Sequence, residues 1–224
     1  MLLNIDFSDR QKRRSLLLLS LFHIFILAIS NYLVQLTFEI KIPFTDLAIP
    51  TTWGTFSFPF IFLATDLTVR VFGTKLARRI IFLVMFPALI VSYIMSVIFF
   101  EAQFQGFNSL ANFNFFVFRI ALASFTAYII GQLMDIFIFN KLRQKSRWWI
   151  APTSSTLFGS LIDTLVFFAV AFYQCADPYL AEHWFDLGIV DYFVKISVSM
   201  ALFLPLYGVL LTIIIKRFDL ATAE

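Results

Sequence analysis

Long apolar runs separated by clusters of basic residues leave this chain few ways to fold. The clusters are Arg10-Gln11-Lys12-Arg13-Arg14, then Lys75 with Arg78 and Arg79, then Lys141, Arg143, Lys145 and Arg147, and finally Lys216-Arg217. Thirteen of the seventeen Lys and Arg residues lie in these clusters. Lys41 falls in an alternate loop, and Arg70, Arg119 and Lys195 fall inside apolar runs. Basic loops stay on the cytoplasmic side of a membrane, so the alternation predicts both termini inside. A ~30 Å hydrocarbon layer needs about 20 residues of helix at 1.5 Å each. Six runs qualify: residues 15–36, 53–72, 80–100, 113–139, 149–172 and 187–215. The expected fold is all-α, with six transmembrane helices in one bundle and a single domain over residues 1–224. The fourth and sixth runs exceed the need, so tilt or an interfacial overhang is expected there.

Composition agrees. Hydrophobic residues make up 60% of the chain and charged residues 14%, more apolar surface than a soluble domain of this size can hide. The net charge of +3 does not indicate nucleic acid, because the basic residues sit at the ends of runs and form no patch. The lone Cys175 excludes an internal disulfide, and His23 and His183 are too few for a usual zinc site. No metal and no cofactor is expected. The first run has a basic leader like a signal peptide. It is about twenty residues long, lacks a small-x-small cleavage pattern and precedes five similar runs, so it reads as a retained helix.

Ionisable groups inside hydrocarbon cost several kcal/mol unless paired or hydrated. Seven lie in or near the spans: Asp66, Arg70, Arg119, Asp135, Asp163, Asp191 and Lys195. Counting along the spans places Asn31, Arg119, Asp163 and Lys195 together, roughly 20–24 Å above the cytoplasmic edge. Asp66 comes out at roughly 10 Å, Arg70 at roughly 5 Å and Asp135 at the inner surface. The outer level reads as a ligand site and the inner one as a gate or coupling site. Thr156, Gly159, Ser160 and Asp163 share one stripe of the fifth span, and Ser124, Tyr128, Gly131 and Asp135 share one stripe of the fourth. Small residues beside an acid admit a neighbouring helix or a flat ligand. Arg119 points away from its stripe.

Plainer readings compete. Asp66 with Arg70, and Asp191 with Lys195, stand four apart and can neutralise locally. Arg119 and Asp163 can form a structural ion pair. His23 is expected to face lipid or a neighbour and to be inert, and Cys175 to lie in an outer loop and serve no function. The fourth and fifth spans also share the pattern G-x-x-x-D-x-x-x-F, at Gly131-Asp135-Phe139 and Gly159-Asp163-Phe167, which marks either a repeat or a coincidence. No H-E-x-x-H, Walker loop or G-x-S-x-G elbow is present, and Asp135 and Asp163 lack the G-x-G-D context of intramembrane aspartyl proteases. An enzyme is not expected.

The residues singled out carry a family resemblance. They are Ser30-Asn31-Tyr32-Leu33-Val34-Gln35, Thr52-Trp53-Gly54, Phe58-Pro59-Phe60-Ile61-Phe62-Leu63-Ala64-Thr65-Asp66, and Gly73 with Ala77-Arg78-Arg79. Arg119 to Ser124, Gly131-Gln132 with Asp135, Ser154-Ser155-Thr156-Leu157-Phe158-Gly159, Asp163-Thr164, Lys195 and Pro205-Leu206-Tyr207-Gly208 complete the set. Taken in order, they resemble the bacterial queuosine precursor transporters, within the wider vitamin uptake transporter group. That group is similar to the substrate-binding subunits of energy-coupling-factor transporters. The resemblance implies an inner-membrane uptake transporter for 7-cyano-7-deazaguanine, with 7-aminomethyl-7-deazaguanine as a second precursor, feeding queuosine salvage in tRNA. The other class it implies is a binding subunit driven by an energising partner. A homo-oligomer is compatible with either, in contact with membrane lipid.

Many members of the wider group carry an acid where this chain has Arg70. The implied ligand offers N–H donors beside a carbonyl. Asp163 is the first candidate to accept from them and Asp66 the second. Arg119 or Lys195 would donate to the carbonyl or nitrile, Asn31 and Gln132 would do both, and Trp53, Phe58 or Tyr128 would stack on the ring. Arg70 and Asp135 are the candidate gate or coupling residues.

Overall fold

The computed structural model describes residues 8–33, 36–41, 48–100, 103–144 and 147–221, apart from the side chains at 31, 37, 39–41, 48–52 and 217–221. Helix α1 (Asp9–Leu33) opens on a reciprocal cap. The Ser8 amide donates to Gln11 Oε1 at 2.9 Å, and the Gln11 amide donates to Ser8 Oγ at 3.3 Å. A small antiparallel hairpin follows, β1 (Thr37–Lys41) against β2 (Ala48–Thr52), with Thr37 opposite Thr52. It interrupts an otherwise helical chain. Phe38 rests against Trp53 and Phe56 at its base.

The short α2 (Gly54–Ser57) gives way to α3 (Pro59–Phe72), because Pro59 has no N–H to continue a ladder and suits a first turn. Gly73, at φ 84°, turns the chain directly into α4 (Thr74–Ile98), a backbone conformation that favours glycine. Asn114 caps α5 (Phe115–Leu142) by accepting from the Val117 amide at 3.1 Å. Next come α6 (Ile150–Phe172) and α7 (Pro178–Val198), the latter capped by Asp177 with Pro178 in its first turn. A π-helical turn, Ser199–Phe203, joins α7 to α8 (Leu204–Ala221). Pro205 lies just past it and cannot donate to the carbonyl one turn back, so a local slip in the ladder is expected there.

Among the described residues, six stretches are long and apolar enough to cross a membrane: Asp9–Ser30, Gly54–Phe72, Thr74–Ile98, Phe115–Leu142, Ile150–Phe172 and Pro178–Lys216. The chain is a multi-pass membrane protein. The first stretch takes in the basic leader, and the last is 39 residues, about 58 Å of helix for a ~30 Å layer. Large apolar side chains stand outward, among them Leu17, Leu21 and Phe25 of α1 and Phe82, Phe86 and Ile90 of α4. Hydrocarbon tails receive such a surface without cost.

The tightest packing is between α5 and α6, which cross at their glycines. A Cβ added at Gly131 would meet Asp163 Cβ at 2.8 Å, and one added at Gly159 would meet Asp135 Cβ at 3.1 Å. Each glycine receives the aspartate of the other helix. The shared G-x-x-x-D pattern therefore has a packing cause: two antiparallel helices related by a local two-fold use the same small-then-acid register.

Candidate functional site

A small cleft, partly open to the outside, lies between α3, α6, the π turn and the start of α8. Phe62, Leu63, Phe203 and Tyr207 give it apolar and aromatic walls. Its polar groups are Asp66, Thr156 and Ser199, and Asp66 is the one carboxylate in the lining. Ser199 Oγ is buried and has no hydrogen-bond partner among the described residues. A mostly apolar cleft with a few polar groups is the usual form of a small-molecule site.

Asp66 is held from α6. Ser155 Oγ donates toward its two oxygens at 3.1 and 3.3 Å. Asp135 of α5 stands behind, fully buried, within reach of Asp66 and Ser155. Helix register explains the meeting: Phe62 and Asp66 are one turn apart on α3, as are Ser155 and Gly159 on α6, and position 159 touches both Phe62 and Asp135. Neither oxygen of Asp135 closes an aligned hydrogen bond. Beside the pair, Gln132 Oε1 accepts from Thr65 Oγ1 at 2.5 Å while its Nε2 has no partner among the described residues.

Below the cleft, Arg70 ties four elements together. Its Nε donates to Tyr207 Oη at 2.8 Å and its Nη2 to the Trp148 carbonyl at 3.3 Å. Its guanidinium also lies over the Phe139 ring, 5.2 Å from the centroid. The Trp148 ring stacks on Tyr207 and fills the space left by Gly208. Arg143, just past the end of α5, donates to the Val69 carbonyl at 2.7 Å and closes the last turn of α3. Burial first, and then the neighbouring Arg70 charge, lower its pKa from the ordinary value.

A second polar cluster joins α6 and α7. Lys195 Nζ pairs with Asp191 at 2.6 Å, donates to Thr164 Oγ1 at 3.4 Å and sits 5.6 Å from the centre of the Phe58 ring. Asp163 is near enough to feel this charge but is packed against Gly131. The i,i+4 pair of α7 therefore forms. The pair expected between Asp66 and Arg70 does not, because Arg70 turns toward Tyr207.

The expected outer ligand layer is not assembled around the cleft. Arg119 donates to the carbonyls of Val170, Tyr173 and Gln174, so it clasps the C-terminal end of α6. It pairs with no carboxylate among the described residues. Exposed carbonyls at a helix end attract a cation, which explains why Arg119 leaves its stripe. Asp163 and Lys195 line no part of the cleft. The side chain of Asn31 lies outside the described residues. Trp53 belongs to the hairpin cluster, and Tyr128 is engaged by His23 Nδ1 at 3.1 Å. Of the two expected settings, His23 is thus buried against a neighbour and does not face lipid. Of the seven candidate ligand residues, the cleft takes Asp66 alone, the second choice for the acceptor role.

The depth of Asp135 also changes. Asp135 lies roughly 10 Å along the helix from the end of α5 at Leu142 and stands beside Asp66 rather than at a separate level. Ser155, Phe62, Phe203 and Ser199 join the site although the sequence pattern gives them no ligand role. The Ser154-Ser155-Thr156 run, one turn before Gly159, was the available signal for the first.

The family model described as "Putative vitamin uptake transporter" matches residues 52–210. A "Probable queuosine precursor transporter" of Haemophilus influenzae (strain ATCC 51907 / DSM 11121 / KW20 / Rd) is 58% identical over 224 residues, covering 97% of this chain and 95% of that protein. The "Queuosine precursor transporter" of Escherichia coli (strain K12) is 56% identical, covering 94% and 93%. A "Probable queuosine precursor transporter" of Bacillus subtilis (strain 168) is 30% identical over 156 residues, covering 66% and 67%. No solved structure matches the chain.

Proposed function

This chain belongs to the vitamin uptake transporter family, and from that premise we propose that it carries a queuosine precursor, 7-cyano-7-deazaguanine, into the cell. The proposal places it in the bacterial inner membrane with both termini in the cytoplasm, in line with the basic clusters at alternate loops. It works as a transporter, not as an enzyme.

The observation that carries the reading is a cleft with one carboxylate among aromatic walls. The substrate is neutral and flat. Its guanine-like edge presents a ring N–H and an exocyclic amine side by side, and one carboxylate can accept from both. Asp66 takes that role in preference to Asp163, since Asp66 lines the cleft. Phe62, Phe203 and Tyr207 flank the ring, and the hydroxyls of Ser199 and Thr156 face its carbonyl or nitrile. The Arg70, Tyr207 and Trp148 assembly closes the cytoplasmic side.

The test is queuosine in the tRNA of cells that can neither make nor import the precursor, fed nanomolar 7-cyano-7-deazaguanine. The wild-type gene restores the modification and Asp66→Asn does not. Full modification by Asp66→Asn at normal protein level would remove the assigned site. Uptake by the purified chain alone in proteoliposomes tests whether it acts without an energising partner.

A further inference from the structure

Asp135 poses a physical problem that substrate binding at Asp66 makes sharper. Both of its oxygens are buried, at 0% exposure, beside a second carboxyl group, and neither closes an aligned hydrogen bond among the described residues. Among the charged groups on the surrounding elements, Arg70 is near enough for its charge to act on Asp66, but none forms an ion pair with either carboxyl group among the described residues. Arg70 of α3 is turned to Tyr207 of α8 and to the Trp148 carbonyl, and Arg143 to the Val69 carbonyl. Lys195 of α7 is paired with Asp191, and Asp163 stands on the far side of Gly131. On α1, His23 is held by Tyr128. On α4, Lys75, Arg78 and Arg79 are exposed at the helix start. The donor that does face the pair is Ser155 Oγ, whose single proton is shared between the two oxygens of Asp66 and the Pro152 carbonyl, with none to spare for Asp135.

Two adjacent buried carboxyl groups that share the field of a single cation, Arg70, do not both ionise. A ligand edge with two N–H donors needs Asp66 as the anion. We infer that the Asp66–Asp135 pair keeps one proton, and that this proton sits on Asp135 when Asp66 engages a ligand's N–H edge. Asp135 is then a positioning residue. As a neutral acid it donates to Asp66 from behind, and it spares the site a second negative charge. This rests on the transport reading above for the ligand, but the proton itself does not.

The consequence is a binding equilibrium with two limbs. At acid pH Asp66 becomes neutral and can no longer accept both donors. At alkaline pH the shared proton leaves and like charges break the arrangement. Asparagine at 135 is a neutral donor at every pH, so it removes the alkaline limb alone.

The experiment is equilibrium binding of 7-cyano-7-deazaguanine to the purified full-length protein in lipid nanodiscs, across an acid-to-alkaline series. The wild type should bind best in the middle. Asp135→Asn should keep binding into the alkaline range, and Asp135→Ala should bind at least about tenfold more weakly than Asp135→Asn at neutral pH. An alkaline limb that survives in Asp135→Asn, or wild-type affinity in Asp135→Ala, overturns the inference.

A second readout needs no ligand. A proton kept by the folded pair but released by the unfolded chain makes stability fall as pH rises. The wild-type unfolding temperature should therefore drop more on alkalinisation than that of Asp135→Asn, and equal drops overturn the inference. Absence of deazapurine binding by the wild type at every pH, with the expected unequal drops, would refute the substrate assignment and leave the shared proton standing.

Discussion

Gly131→Ala tests the α5–α6 crossing on which the candidate site is built. A methyl there would lie 2.8 Å from Asp163 Cβ and 3.3 Å from Asp163 Cα. Carbon atoms rest at about 3.5–4.0 Å, so the helices must part by roughly 1 Å. No rotamer relieves the clash, because neither atom is the end of a flexible side chain. A gap of about 0.5–1 Å forfeits a quarter to a half of the dispersion energy of each facing pair. Overpacking of this kind costs about 1–3 kcal/mol, offset by up to about 1 kcal/mol from the better helix propensity of alanine. The expected net loss is about 1–2 kcal/mol.

Two companions calibrate it. Gly159→Ala meets Phe62 Cε1 at 3.0 Å and Asp135 Cβ at 3.1 Å, and the ring edge can tilt, so its cost is smaller. Gly188→Ala meets Phe168 Cγ at 3.3 Å and should be near neutral. The assay is the unfolding temperature of the three variants in one detergent, with precursor uptake measured in parallel. Gly131→Ala unfolding at or above the wild-type temperature, or Gly188→Ala proving the worst, would refute the reciprocal crossing.

Other outcomes follow from the same contacts. Arg119→Ala removes the clasp on the last carbonyls of α6 and should cost up to about 2 kcal/mol of stability while leaving substrate affinity within about twofold; a selective affinity loss would make Arg119 a ligand after all. Lys195→Met strands Asp191 and Asp163 and should destabilise by about 2 kcal/mol more than the double change Lys195→Met with Asp191→Asn, read from thermal unfolding. Cys175, in the loop between α6 and α7, should react with a membrane-impermeant thiol reagent added outside intact spheroplasts; reaction only after lysis would invert the proposed topology.

The sequence alone determined the coarse architecture. Burying twenty-residue apolar runs in hydrocarbon outweighs other local preferences, and basic loops resist translocation, so run length and cluster position carry the span count and the expected sides. It also placed an acid beside a small residue in both α5 and α6. What it could not decide was which groups meet. Arg119 and Arg70 reach past their own helices, to a helix end and to a tyrosine on α8, because long cations seek carbonyls and rings wherever packing offers them. Counting along single helices separated Asp135 from Asp66, whereas packing sets them side by side. Only the crossing of α5 over α6 brought Asp135 level with Asp66, and only the π turn before Pro205 set Ser199 and Phe203 against the cleft. Those are consequences of interhelical register, which depends on side chains distant in the chain and is invisible to any count along one helix.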